Sequence, residues 1–459
     1  MNLSASFRIQ PHDVIAFVGA GGKTTAMFRL AEELVTQDKR VVLTTTTKLG
    51  AEQVETHAAR VASLRYDAAN DFIAHVREAL QVRSQVLIIG DALPDSKVAG
   101  VPSEFIDELA VSQVADAILY EADGARRLPF KAPASHEPAV ASSTTLLVPS
   151  VGISALGAPL DAAHVHRAEM VAQLAGAQMG EPVTPLMVVR VLAHSDGGAK
   201  NKPDAARVIA LINQVEDDAQ LNLAREVAHR LLGYDSIDAV AIGAVKNAEP
   251  IWETHRRVAA IVLAAGSGTR MIGHVKQLLP WQGKTLIENA IDLAAKSTVH
   301  ETLVVLGARA EEIRAVIRNA PARIVLNREW QVGHSTSIRA GLNALSKKID
   351  AAIFVNADQP LLTREVINAL IQCYRETDAG IVVPEYAGKR GSPVLFDRRY
   401  FSELSNLQGE EGGREVLAKN PIERVQFADA RLGSDVDTLD EYNKLTRPGG
   451  SGIVDSPRR

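Results

Sequence analysis

Short β-branched and leucine-rich runs alternate with stretches of helical periodicity along nearly the whole of this 459-residue chain. Strands buried on both faces and joined by crossover helices are the signature of a parallel sheet, so the pattern predicts an α/β fold. Predicted strands are 14–18, 41–44, 86–89, 117–120, 145–148, 186–191 and 239–242 in the first half. A second series follows at 258–263, 302–306, 324–326, 351–355, 381–383 and 394–396. A helix is expected over 24–35, where Met27, Leu30, Ala31, Leu34 and Val35 share one face. At roughly 150 residues per domain the length calls for two or three cores. The polar stretch 246–257 (KNAEPIWETHRR) separates the strand series, giving expected domains at 1–250 and 256–446. Residues 193–203, rich in Gly, Lys, Asn and Asp, read as an exposed loop, and 447–459 as a disordered tail too poor in apolar residues to pack.

Composition excludes several classes. Lys+Arg 50 against Asp+Glu 55 gives a net charge of −5, too near balance to imply a nucleic-acid or anionic-membrane partner. A hydrophobic fraction of 46% and a charged fraction of 23% exclude disorder, collagen and a lipid-embedded bundle. No apolar run approaches the roughly 18–20 residues of a bilayer span, and residues 1–10 lack the basic-then-apolar pattern of a secretory leader. Cys373 is alone, which rules out an internal disulfide or a Cys-based metal cluster; it reads as a buried helix position in 370–374. A cytoplasmic enzyme is the class these features describe.

Two predicted strands run into glycine-rich turns. In VIAFVGAGGKTTAMFRLAEEL the residues Gly19, Gly21, Gly22, Lys23 and Thr24 lie between strand and helix, where backbone N–H groups and the helix dipole converge on an anion. Lys23 would reach the terminal phosphates, and Thr24 or Thr25 would bring a hydroxyl to Mg²⁺. Phe17 holds the place of the usual first P-loop glycine, leaving a shorter G-x-x-G-K-T-T that resembles the loop of the Mur ligases more than that of Ras-like GTPases. The threonine run 44–47 with Lys48 falls at a strand's carboxyl end, the edge where open α/β sheets bind ligands. Glu121 and Asp123, in E-A-D-G, fall where a carboxylate beside a P-loop holds metal or orients water; a threonine-rich strand and an Asp-Gly turn are the plain alternatives. Arg126, Arg127, Lys131, His136 and Glu137 crowd the next loop, and His164, His166, Arg167 and Glu169 cluster in AAHVHRAEM. Histidine pairs without a fixed ligand set favour anion contacts or surface loops over metal.

Taken in order over about 7–247, VGAGGKTT, TTTTKL, EADGARRLPFKAPASHEP and HRAE resemble the YqeC family, accessory proteins associated with selenium-dependent molybdenum hydroxylases. The resemblance implies an NTP-binding domain of molybdenum-enzyme maturation, with ATP and GTP as the candidate nucleotides and a molybdenum hydroxylase as client.

The second turn lies in LAAGSGTRMIGHVKQLLPW. Leu263, Ala264, Ala265, Gly266, Ser267 and Gly268 supply backbone donors, Arg270 a bidentate fork and Lys276 a charge near the scissile bond, the combination that a triphosphate requires. Its spacing is neither a Walker loop nor G-x-G-x-x-G, which argues against a dehydrogenase. Asp358, in N-A-D-Q-P at a strand's carboxyl end, and Asp437, with Asp435 as the alternative, offer hard carboxylates for Mg²⁺ from distant positions. Ser335 opens a helix predicted over 335–345, as a cap, a ligand contact or both. Lys389, Arg390, Gly391 and Ser392 form a basic, glycine-flanked loop suited to an acceptor phosphate.

LAAGSGTR with Lys276, GHSTS, NADQP, GKRGSPVLF and DVDT, spread over about 258–445, resemble the molybdenum cofactor cytidylyltransferases, MocA-type members of the MobA-like NTP transferases. The resemblance implies a nucleotide-diphospho-sugar-transferase-like domain, so the chain is expected to hold two Rossmann-like domains. It also implies transfer of CMP from CTP to the phosphate of molybdopterin with release of pyrophosphate. Ala265 matches the cytidylyl branch, whereas the guanylyl branch tends to carry LAGG. Ile272 stands where the family has glycine, and Ser392 where it often has histidine. Two other readings stay open: a nucleotidyltransferase acting on a sugar phosphate or small alcohol, and a nucleotide-switched carrier that inserts the cofactor with little turnover.

Overall fold

The computed structural model describes residues 1–50, 52, 62–68, 71–94, 96–268, 271 and 274–446, and it divides into two compact units, Met1–His255 and Arg256–Arg459. Arg270 and Ile272 of the second loop, and the expected tail 447–459, lie outside the described residues. Among the described residues no helix is long and apolar enough to cross a membrane.

The first unit is built on a nine-stranded sheet. Its strands are β1 (Asp13–Gly19), β2 (Val41–Thr45), β3 (Ala62–Arg65), β4 (Gln85–Ile89), β5 (Ala117–Glu121), β7 (Leu146–Gly152), β9 (Arg207–Asn213), β10 (Ala239–Gly243) and β11 (Ile251–His255). A separate ribbon pairs β6 (Phe130–Lys131) with β8 (Val165–His166). The sheet order is β11-β10-β9-β7-β1-β5-β2-β4-β3, parallel throughout except for β11. β1 therefore sits between β5 and β7, and the three carboxyl ends present one edge. Apolar side chains of one parity along β1 (Val14, Ala16, Val18) enter the core on one sheet face, and Ile15 and Phe17 enter the core on the other. Helix α1 (Lys23–Val35) lies over the second face through Met27, Leu30, Ala31 and Leu34, and α2 (Ala168–Ala175) and α4 (Asp218–Leu231) contribute to the core on the first.

The second unit holds β12 (Val258–Ala264), α5 (Leu286–Ala295), β13 (Glu301–Leu306), β14 (Arg323–Leu326), α6 (His334–Ala344), β15 (Ala351–Asn356), α7 (Arg364–Thr377), β16 (Ile381–Tyr386), β17 (Lys389–Arg390), β18 (Val394–Asp397) and β19 (Glu423–Phe427). Its sheet runs β14-β13-β12-β15-β18-β16-β17, with β19 added parallel to β16. Strands β14 to β15 are mutually parallel and β18 turns antiparallel. The Gly266 loop thus leaves the carboxyl end of β12 between two parallel neighbours, the crevice position of open α/β sheets.

The α/β class and most predicted strands stand, with four corrections. Residues 186–191 are not a strand: Pro185–Ala193 is helix α3, with Pro185 in its first turn and the Thr184 hydroxyl accepting from Met187 N. The missing strand is β9, a buried run that completes the sheet between β7 and β10. Within 246–257, residues Ile251–His255 form edge strand β11 instead of a linker, so the first unit runs on to His255. The loop 193–203 is not simply exposed: Gly197 and Gly198 are buried, Lys200 Nζ donates to the Ala134 and Ser135 carbonyls, and Asn201 Nδ2 donates to Pro138 O. Cys373 is in α7 as expected but half-buried.

Candidate functional site

Each unit places one cluster of charge at the carboxyl edge of its sheet. In the first, Gly19, Gly21 and Gly22 take φ of +86°, +76° and +114°, which side-chain-bearing residues rarely adopt. A Cβ on Gly21 would stand 2.1 Å from Gly152 N, so the loop lies against the end of β7 as well as that of β1. Asn213, from the end of β9, donates to Gly21 O at 2.7 Å and accepts from Val245 N, fixing the loop from across the sheet.

Lys23 is buried and turned inward: Nζ donates to Gly19 O at 2.6 Å and stands 3.3 Å from Asp123 Oδ1 and 3.5 Å from Glu121 Oε1. Burial alone would lower its pKa, but the two carboxylates hold it above the usual value. Thr24 donates to Glu121 Oε2 at 2.6 Å, and Gly19 N–H donates to Asp123 Oδ2 at 3.1 Å. The structure thus assembles Gly19, Gly21, Gly22, Lys23, Thr24, Glu121 and Asp123; Thr25 follows, half-buried, in the first turn of α1. Beyond Asp123 the chain of charge continues. Lys131 Nζ lies 2.9 Å from Asp123 Oδ2 and 2.7 Å from Glu137 Oε2, and Arg167 grips both Glu137 oxygens at 2.7 and 3.0 Å. Burial would raise the Glu137 carboxyl, but Arg167 and Lys131 bring it down to about 2.

The threonine run does less at the edge than its position implies. Thr44, Thr45 and Thr46 bind the Ile88, Glu121 and Ala139 carbonyls, so these hydroxyls tie segments together. His164 is an exposed partner of Asp161, and among the described residues no group of three His, Cys, Asp or Glu is arranged to hold a metal ion.

In the second unit a cleft of about 410 Å³ is lined by Leu263, Ala264, Ala265, Gly266, Gly268, Lys276, Gln277, His334, Ser337, Asn356, Ala357, Asp358 and Asp437. Lys276 Nζ donates to Asp358 Oδ2 at 2.5 Å and to Asp437 Oδ1 at 2.9 Å, drawing together residues 161 positions apart. Burial again opposes the charge and the carboxylates outweigh it, so its pKa is raised. The second Asp358 oxygen, Oδ1, is buried with no hydrogen-bond partner. Val436 N–H donates to Asp358 O, which brings the D-V-D segment to the cleft. Asp435, despite an exposed face, is pushed up to about 6 by the protein around it and then by repulsion from Asp358 and Asp437.

Sequence reasoning missed two supports, Gln277 and Asn327, and two lining residues, His334 and Ser337. Gln277 is buried and donates to the Ala264 and Gly266 carbonyls, clamping the glycine loop. Asn327 donates to the Thr336 and Ser337 hydroxyls, setting the first turn of α6. His334 and Ser337 line the cleft, whereas Ser335 is buried and donates its hydroxyl to Gly409 O at 2.8 Å. Ser335 thus lies outside the cleft lining, because helical spacing turns 335 and 337 to different sides. Ser267 is exposed and lies outside the cleft lining. Lys389 and Arg390 are exposed in a hairpin, followed by half-buried Gly391 and Ser392, outside that lining as well. Tyr386 anchors the hairpin by donating to Ser392 O at 2.8 Å, and its pKa is raised by burial and by the nearby Asp435.

Comparison with known proteins agrees with both halves. The family model described as YqeC protein matches residues 15–169, and that of the MobA-like NTP transferase domain matches 260–425. The uncharacterized protein YqeC of Escherichia coli is 30% identical over 239 residues, covering 51% of this chain and 88% of that protein. Nicotine blue oxidoreductase of Paenarthrobacter nicotinovorans is 31% identical over 198 residues, 41% of this chain and 96% of its own length. The molybdenum cofactor cytidylyltransferase of Escherichia coli is 24% identical over 183 residues, 40% of this chain and 92% of that protein. The second unit, with its cleft at the carboxyl edge, is a nucleotidyltransferase domain. The chain belongs to the YqeC family through its first half and carries a MobA-like NTP transferase domain in its second.

Proposed function

We propose that the second unit transfers CMP from CTP to the phosphate of molybdopterin, and that the first is an ATP- or GTP-binding accessory domain serving the maturation of a molybdenum hydroxylase. The observation that carries the transferase reading is Lys276, held between Asp358 and Asp437 beneath the Gly266–Gly268 loop. A phosphate oxygen of the acceptor attacks the α-phosphorus of CTP in line. The new P–O bond forms as the bond to the β-phosphate oxygen breaks, and pyrophosphate leaves. Backbone groups of 264–268 cradle the triphosphate, and Arg270 belongs with them. Lys276 stabilises charge growing on the α-phosphate oxygens, while Gln277 keeps the loop in place. Lys389, Arg390, Gly391 and Ser392 receive the acceptor phosphate. Asp358 and Asp437 would hold Mg²⁺: the buried, unpartnered Asp358 Oδ1 fits a cation, and phosphates and water supply the remaining ligands of such sites. When bound, Mg²⁺ neutralises the leaving pyrophosphate. The 24% identity to a molybdenum cofactor cytidylyltransferase supports CTP and molybdopterin as substrates.

A second reading has its own support in the 31% identity to an oxidoreductase, which would put redox chemistry on a small molecule in the same cleft. One assay separates the two. The protein is mixed with Mg²⁺, molybdenum-loaded molybdopterin and CTP, GTP or ATP, and pyrophosphate and dinucleotide are quantified. A parallel arm follows NADH and NADPH oxidation. Pyrophosphate formed from CTP only, dependent on acceptor and lost in Asp358→Ala, is the expected result. Turnover of a nicotinamide cofactor without pyrophosphate would replace the transferase reading, and tight nucleotide binding without either reaction would favour the carrier.

A further inference from the structure

Against the first phosphate loop lies a cavity of about 10 Å³, the room of a single water molecule. Apart from Asp123 and Lys131 its walls are apolar side chains and glycine: Val18 at the end of β1, Val191 and Leu192 of α3, Pro138, and Gly198 of the 193–203 loop. That loop closes on α3 only with glycine, since a Cβ on Gly198 would stand 2.5 Å from Leu192 O. Lys200 and Asn201 then fasten it to the Ala134, Ser135 and Pro138 carbonyls.

Asp123 is 1% exposed, and its two oxygens are in different states. Oδ2 accepts from Gly19 N–H at 3.1 Å and lies 2.9 Å from Lys131 Nζ. Oδ1 is buried with no hydrogen-bond partner, although Lys23 Nζ stands 3.3 Å away. Leaving a buried acceptor unmet costs about 1–3 kcal/mol, more for a charged group. Lys131 cannot meet it, because its three protons go to Asp123 Oδ2, Glu137 Oε2 and Gly124 O. A divalent cation does not suit the place either. One carboxylate oxygen among apolar walls, beside an ammonium, falls far short of the octahedral oxygen shell that Mg²⁺ takes. One water fits both the volume and the unmet acceptor, and apolar walls leave its lone pair free.

The cavity shares Gly19 and Asp123 with the pocket that holds Lys23. A phosphate oxygen bound at about 2.8 Å by that ammonium would lie within about 6 Å of Asp123 Oδ1, a gap that one water spans.

We propose that the first unit hydrolyses its nucleoside triphosphate, with Asp123 Oδ1 holding the attacking water in this cavity. The inference rests on reading Gly19–Thr25 as a nucleotide phosphate loop. The water oxygen bonds to the γ-phosphorus as the bond from that phosphorus to the β–γ bridging oxygen breaks. The nucleoside diphosphate leaves with the electron pair, and both water protons end on the inorganic phosphate, one having passed over Asp123 Oδ1. Lys23 follows the charge onto the phosphate oxygens. Glu121, which accepts from Thr24 at 2.6 Å, does not line the cavity, so the two carboxylates of E-A-D-G divide: Asp123 serves water and Glu121 the loop threonine.

The test uses the full chain with Mg²⁺ and ATP or GTP in H₂¹⁸O. This reaction yields nucleoside diphosphate and phosphate, whereas the second unit's transfer releases pyrophosphate, so the products tell the two sites apart. Binding is followed separately by the fluorescence of mant-AMP-PNP and mant-GMP-PNP. Turnover to the diphosphate is expected, with ¹⁸O in the phosphate and none in the diphosphate. Val191→Ile adds one methylene at the cavity wall and leaves every charge in place; analogue affinity should stay within about twofold while kcat falls about tenfold or more. Asp123→Asn should likewise keep the analogue and lose about a hundredfold in kcat, and if it fails to fold by circular dichroism the Val191 variant decides alone. Analogue binding without hydrolysis would overturn the proposal and leave the phosphate-loop reading standing, as would hydrolysis that Val191→Ile leaves unchanged. Neither binding nor hydrolysis would overturn both.

Discussion

Lys276 and Lys23 are in the same predicament: each is a buried ammonium between two carboxylates at the end of a central strand. A cation so placed gives up its carboxylate partners readily only to a group of greater negative charge, which is what a polyphosphate brings. Lys276→Ala should lower kcat for CMP transfer by about 10² to 10³, the cost of removing one preorganised charge from a developing oxyanion, with a smaller change in KM for CTP. Pyrophosphate release measures it, and an unchanged rate would remove Lys276 from the mechanism. At the other loop, Gly21→Ala forces a Cβ to 2.1 Å from Gly152 N at a φ of +76°. A loss of about 2–4 kcal/mol is expected by denaturant unfolding, with loss of nucleotide binding. These residues are legible in sequence because loop chemistry is local: the glycines, lysine and threonine are consecutive. Asn213 and Gln277 are not legible, since each acts by binding a backbone carbonyl of its loop, 192 and 11 residues away, and an amide side chain carries no local mark of that task.

At the scale of elements, the misread segment 185–193 shows where composition misleads. MVVRVL is β-branched and apolar enough for a strand, yet Thr184 and Pro185 form an N-cap and first turn that commit the run to a helix. Strand β9 is just as apolar and has no such start signal, and it is the one that enters the sheet. The edge strand β11 was hidden by its polarity: Glu253 and His255 are buried, bound to one another and, through Glu253, to Arg225. The β6–β8 ribbon and the loop beside it carry a prediction for pH. Glu137 drops from 4.5 to about 2 on folding, so its contribution is fully present above pH 4.5 and is lost as pH falls toward 2. At about 1.4 kcal/mol per unit this is worth up to about 3 kcal/mol. His166, lowered from 6.5 to about 4, is neutral in the folded chain while the unfolded chain takes up a proton below pH 6.5, so it too removes stability on acidification. Denaturant unfolding followed at β6 and β8 should therefore weaken first between pH 6.5 and 4 and further below 4.5. In Glu137→Gln the lower step should disappear.

For the molecule as a whole, the sequence shows two strand series and two loops, and the structure gives each its own cores: Met1–His255 is packed on both faces of one sheet, and so is the second unit. Each loop leaves the carboxyl end of a strand flanked by parallel neighbours on both sides, the arrangement that makes a ligand's binding energy felt by the central strands. A ligand that binds only the folded state stabilises it by about 2.7 kcal/mol at a hundred times its Kd. CTP with Mg²⁺ should thus slow hydrogen exchange in β12 and β15, roughly a hundredfold for amides that exchange only by unfolding of that unit, and leave β1, β5 and β7 unchanged. ATP or GTP should give the converse pattern through Lys23 and Thr24. Lys276→Ala should erase the CTP effect in the second unit without touching the ATP or GTP effect in the first. Protection of β1 by CTP that survives Lys276→Ala would mean that the first unit also takes CTP, and the division of nucleotides between the two loops would have to be redrawn.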